Sequence, residues 1–170
     1  MRARSPARAL LFVLLLAGCA TKPQRVDTID LTTPLPGNFE VQLAPADMPK
    51  PIAQFLGIWK GDWLVGQPGG TPSGIVHHTL VVTKIEPVSS GGYRATVIYS
   101  TGAAPATWED GGPGFWETFG TLGSDATLRM KAPGPDGGQA VYVVSADGKS
   151  LNGQYVLPGK SISGTFNKIR

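Results

Sequence analysis

Beyond Gly57 the apolar residues recur at every second position, in short runs broken by turn-forming residues, and this pattern constrains the fold more than any other feature. Side chains alternate across a strand, so period two marks a strand with one buried face. GIWKGDWLV sets Trp59, Trp63 and Val65 on one face, with Gly57 and Gly61 between them. GYRATVIYS sets Tyr93, Ala95, Val97 and Tyr99 against Arg94, Thr96 and Ser100. ATLRMK alternates Ala126, Leu128 and Met130 with Thr127, Arg129 and Lys131; SLNGQYVL alternates Leu151, Gly153, Tyr155 and Leu157 with Asn152 and Gln154. IVHHTLVVTKI, FWETFG, QAVYVVS and KSISGTFNKI bring the total to about eight strands.

The links between these runs decide how they pair. Asp147-Gly148, Pro158-Gly159 and Ser89-Ser90-Gly91-Gly92 carry hairpin chemistry. Short hairpins in series make an antiparallel meander, because parallel neighbours need long crossovers. The expected fold class is all-β, a meander closed into a small barrel that hides both its apolar face and its edges. A β-sandwich is the alternative. Gly61, Gly153 and Gly164 fall inside strands, as expected where a barrel wall bends sharply.

Gly57-x-Trp59 at the start of the first strand resembles the Gly-x-Trp of the calycins, the superfamily of lipocalins, fatty-acid-binding proteins and avidins. The strand count, the meander and the closing GTFNKIR are similar as well. The resemblance implies a calycin-like barrel in which the first-strand Trp59 packs under a basic residue near the barrel's end, here Lys168 or Arg170. It covers the architecture and few specific residues, and a fold of this kind hosts many functions.

The amino terminus speaks to location. Arg2, Arg4 and Arg8 precede a continuous apolar run, Leu10 to Leu16, followed by small residues, which is the anatomy of a secretory signal. The run is too short to span a bilayer, which needs roughly 20 helical residues. Leu16-Ala17-Gly18-Cys19 resembles the lipobox of bacterial lipoproteins in all four positions. That resemblance implies cleavage before Cys19 and acylation of its thiol and of the new amino terminus. Each buried CH₂ contributes about 0.8 kcal/mol, and stable anchoring needs more than one chain. Ala20 does not match the inner-membrane retention signal of that family, so the expected address is the outer membrane, facing the periplasm. Cys19 is the only cysteine, so a mature chain anchored there has no disulfide.

These features divide the chain into a signal peptide at 1–18, a lipidated, proline-rich and disordered tether at 19–52, and a β-barrel domain at 53–170. Within the tether, Phe39-Glu40-Val41 is an apolar patch suited to dock on the domain, and Pro51 to Leu56 suits one short helical turn. The full chain holds 15 basic and 12 acidic residues; without the three signal arginines the balance is 12 to 12. Nucleic-acid binding is therefore not implied by charge.

Few residues carry recognisable chemistry. His77 and His78 are adjacent on a strand, point to opposite faces and cannot share a metal ion; one is expected exposed and the other partly buried. The two Gly-Lys-Ser triplets at 148–150 and 159–161 lack the upstream glycine of a phosphate loop. No catalytic residue, metal or cofactor is expected. Ser100 to Gly120 is the most unusual stretch, long for a loop and concentrating Trp108, Phe115, Trp116 and Phe119 beside Glu109, Asp110 and Glu117. Aromatic faces beside carboxylates suit recognition of a sugar or an apolar ring. The expected function is a lipid-anchored envelope protein whose barrel binds a small apolar or aromatic ligand without turnover, through Trp59, Trp63, Tyr99, Trp108, Trp116 and Glu117. Its partners are the membrane, through Cys19, and that ligand or an envelope protein. The alternative is an interaction protein with a filled barrel. A third reading is a glycan-acting enzyme using Glu109, Asp110 or Glu117.

Overall fold

The alternating runs pair as their turns dictate. The structure, a computed structural model, describes residues 24–25, 33–66, 71–103, 113–131, 138–157 and 160–169. Eight strands form a closed antiparallel barrel: β1 (Gly57–Gly66), β2 (Gly74–Pro87), β3 (Tyr93–Thr101), β4 (Gly114–Leu122), β5 (Thr127–Lys131), β6 (Gln139–Val144), β7 (Ser150–Leu157) and β8 (Lys160–Lys168). Each pairs with the next, and β8 closes on β1 with Gly164 opposite Trp63 and Phe166 opposite Gly61. Closure excludes the sandwich. The FWETFG run lies within β4, so the connection before it is shorter than Ser100–Gly120 suggests.

One barrel end is sealed. Its hairpins are tight: Gly148, at φ 72°, turns the chain where Ser145 N donates to Ser150 O at 2.8 Å. A single helical turn, Lys50–Ala53, precedes β1. The spacing of Ile52, Phe55 and Leu56 puts all three on one side, where they are buried in the interior cluster. Trp59 donates its indole N–H to Phe55 O at 2.8 Å, and Lys168 Nζ stands 4.8 Å from the Trp59 ring centroid. The pairing that the calycin resemblance implies is made by Lys168; Arg170 lies outside the described residues. Lys168 Nζ also donates to Gln54 O at 2.7 Å, fastening the end of β8 to the helical turn. Half-burial pushes the Lys168 ammonium below the usual lysine range. Lys168→Met keeps the stem and removes the charge and the donors. It is expected to cost about 1–2 kcal/mol, read as a lower urea midpoint at unchanged slope.

The wall is covered on its outside too. Ile58, Val81 and Ile98 are register neighbours on β1, β2 and β3 and are buried on the outer face. Leu35, Phe39 and Val41 pack over them, so the tether's apolar patch does dock. Thr33 Oγ1 donates to Thr79 Oγ1 at 2.7 Å, Ser100 Oγ donates to Pro34 O, and Gln42 N donates to Thr83 O at 2.8 Å. Thr83 is the extra residue of a bulge between Val82 and Lys84, which leaves its carbonyl free for that bond. Residues 33–43 are thus an ordered strap on the barrel, held because three outward aliphatics need cover, and correct the expectation that 19–52 is disordered throughout. Glu40–Val41 of the strap pairs antiparallel with Gln24–Arg25.

Candidate functional site

The interior away from the sealed end is built of rings. Trp63 lies at its centre, with Phe166 at 4.9 Å, His78 at 5.5 Å, Tyr142 at 5.7 Å and Tyr155 at 6.4 Å between centroids. Three glycines make room for Phe166. A Cβ on Gly61, Gly153 or Gly164 would stand 2.7–2.8 Å from a Phe166 ring atom. Tyr99 continues the column at 4.3 Å from His78, and Trp116, its register partner on β4, follows at 6.4 Å. Trp116 is 40% exposed, so the column runs from full burial to solvent.

Polar atoms are embedded among these rings. His78 Nδ1 is 2.6 Å from Ser100 O, and Nε2 is 3.2 Å from the Tyr142 hydroxyl. A carbonyl can only accept, so Nδ1 carries the proton and Nε2 accepts from Tyr142. Complete burial lowers the His78 pKa to about 3, the bond to Ser100 O opposing it, and the imidazole is neutral. Burial also pushes Tyr99 and Tyr142 well above the usual phenol range, and the neighbouring tyrosines reinforce the shift. Trp63 Nε1 is the exception. Among the described residues it is the one buried side-chain nitrogen or oxygen with no hydrogen-bond partner. It lies close enough to the Tyr99 phenol to offset part of that upward push, without the geometry of a hydrogen bond.

The residues singled out from the sequence divide into separate places. Trp63, Tyr99 and Trp116 share the ring column. Trp59 is four residues from Trp63 on β1, at the sealed end, where its N–H and ring are already engaged. Glu117 follows Trp116 on a strand and so points to the outer wall, opposite Ile98 in register and exposed. It cannot join Trp116 in the interior, and period two alone forbids the pairing. Trp108, Glu109, Asp110 and Cys19 lie outside the described residues. His78 and Tyr142 belong to the column; Tyr142 is an inward aromatic as its strand pattern suggests, whereas His78 is fully buried where partial burial and no site role were expected. The signal for His78 was a histidine on the inward side of a run of aliphatics. His77 is exposed on the outer wall and lies 2.6 Å from Asp62. Among the described residues no group of three His, Cys, Asp or Glu side chains is placed to hold a metal ion.

No family model matches the chain, and no curated protein matches it. Among solved structures it is similar to a redesigned β-barrel, mFAP0, bound to DFHBI. The two share 13% identity at a TM-score of 0.40, over 68% of this chain and 99% of that one.

Proposed function

We propose that the chain is a lipid-anchored envelope protein whose barrel binds a small apolar or aromatic ligand and performs no chemistry on it. The carrying observation is the Trp63 indole: fully buried, its N–H unpaired, in a column of rings that reaches solvent at Trp116. A buried donor without a partner costs about 1–3 kcal/mol, which a bound acceptor recovers. The position of Glu117 on the outer wall supports binding over glycan hydrolysis, because it separates that carboxylate from the rings. The lipobox Leu16-Ala17-Gly18-Cys19 supports the anchor, and Ala20 supports an outer-membrane, periplasm-facing address.

Native mass spectrometry of the full chain, extracted from the membranes of its own host, tests the ligand. A bound mass is expected, and Trp116→Ala is expected to remove at least about nine-tenths of it while the chain stays folded. A bare polypeptide mass from the unaltered protein sinks the ligand reading. For the anchor, Cys19→Ser is expected to abolish incorporation of radioactive fatty acid; persistent labelling sinks the lipobox.

A second reading has one observation in its favour. Phe115 and Phe119 stand on the outer wall beside Glu117, Phe119 being 61% exposed with the Arg94 guanidinium 5.2 Å above its ring. An envelope protein partner using that wall would be lost on Phe119→Ala and indifferent to Trp116→Ala.

A further inference from the structure

The ring column restricts what kind of molecule it can take. We infer that its ligand is an uncharged aromatic compound carrying a hydrogen-bond acceptor, and that the acceptor receives the Trp63 Nε1–H. This rests on the ligand-binding reading and sharpens it to a chemical class.

The steps are physical. Trp63 has a donor and no acceptor, since an indole N–H can only donate. Its unpaired state therefore calls for an oxygen or nitrogen with a free lone pair. The groups around it cannot balance a charge. His78 is neutral, its proton committed to Ser100 O, and Tyr99 and Tyr142 hold theirs. A carboxylate or an ammonium placed among them would lose its hydration with no counter-charge to replace it. The Tyr99 phenol lies near the indole without the geometry of a hydrogen bond, so the acceptor is left for a ligand atom to supply. The neighbouring groups are rings, Trp116 towards solvent and Tyr99 and Tyr142 buried, whose faces favour another aromatic edge or face.

Three naphthalenes of matched shape make the test: 1-acetylnaphthalene with an acceptor, 1-ethylnaphthalene without one, and 1-naphthoate with a charge. Binding to the full chain is measured by titration calorimetry. The acetyl compound is expected to bind about tenfold more tightly than the ethyl compound, the value of one recovered hydrogen bond, and naphthoate more weakly than both. In Trp63→Phe the acetyl and ethyl compounds are expected to converge, whatever the lost ring area costs both of them. Equal affinities in the unaltered protein, an unchanged ratio in Trp63→Phe, or naphthoate binding tightest would each overturn the inference while leaving the binding reading intact. Failure of all three to bind overturns the inference, whereas the binding reading falls only with a bare polypeptide mass from the host-extracted protein. Should Trp63→Phe not fold, the unaltered protein supplies the answer by ¹⁵N–¹H correlation. The Trp63 Nε1–H resonance must lie further downfield with the acetyl compound than with the ethyl one, and equal positions with both overturn the assignment.

Discussion

Gly61→Ala is expected to destabilise the barrel by about 3 kcal/mol or more, among the largest effects available to a single methyl group. The added Cβ would lie 2.2 Å from Thr165 O and 2.8 Å from both Cα and Cδ1 of Phe166. Two of these three atoms are backbone, so no rotamer change relieves them. The strands would have to separate, and β1 and β8 are where the barrel closes, with Gly61 directly opposite Phe166. Overpacking a core usually costs about 1–3 kcal/mol when side chains can move; here the ladder itself must give. The melting temperature should fall by roughly 10–15 °C. Gly37→Ala is the matched control, because a Cβ there meets nothing within 4 Å. Its midpoint should stay within about 0.5 kcal/mol of the unaltered protein. Urea melts followed by tryptophan fluorescence decide the matter. A Gly61→Ala midpoint as close to the parent as that of Gly37→Ala would show that the seam is looser than its geometry implies.

That glycine also shows what could be read from the chain and what could not. Gly61, Gly153 and Gly164 were legible as wall glycines, and curvature was the expected reason. Their structural role is more specific: they vacate the space that one ring, Phe166, fills from β8. Nothing in the spacing of three glycines on three strands names the ring they serve, because the register that gathers them is a property of the closed barrel. The barrel itself was legible, since period two and hairpin turns leave few other ways to hide eight half-apolar strands. The pairing of Trp59 with a cation was legible through resemblance, and Lys168 supplies it. The strap was half legible. Phe39-Glu40-Val41 stood out, but its target did not, although Leu80-Val81-Val82 and Val97-Ile98-Tyr99 break the alternation as a strand covered on both faces must. The candidate site was the least legible part. Tryptophans attract notice wherever they fall, and composition cannot separate Trp59, which locks one end, from Trp63, which leaves a donor unpaired. Coupling Glu117 to Trp116 erred on a rule the sequence itself supplies.

The second large effect is a loss of stability in mild acid, and it belongs to His78. In the unfolded chain a histidine takes up a proton near pH 6.5, whereas in the barrel burial holds the pKa at about 3. Below pH 6.5 the unfolded state therefore binds a proton that the native state refuses, and stability falls as pH falls. The contribution is whole above pH 6.5 and is lost at about 1.4 kcal/mol per pH unit down to about pH 3. Between pH 7 and pH 4 the expected loss is about 3 kcal/mol. A competing source in this window would be a carboxylate with a lowered pKa. Asp125 is such a group, held at about 2 by Arg129, but its contribution is lost as pH falls from near 3.8, below most of the window. Protonating His78 in place would also set a second proton, on Nε2, against the hydroxyl proton of Tyr142, which now donates to that nitrogen. The native state cannot escape by accepting the charge, because the rings of Trp63, Tyr99 and Phe166 surround the imidazole and offer no anion. His78→Gln retains an acceptor and a donor without a titration, so its stability, lower at pH 7, should be nearly flat from pH 7 to pH 4 where the parent falls. Urea midpoints of the two proteins across that range make the comparison. Parallel curves would mean that the acid sensitivity arises elsewhere and that His78 is not held neutral as its burial requires.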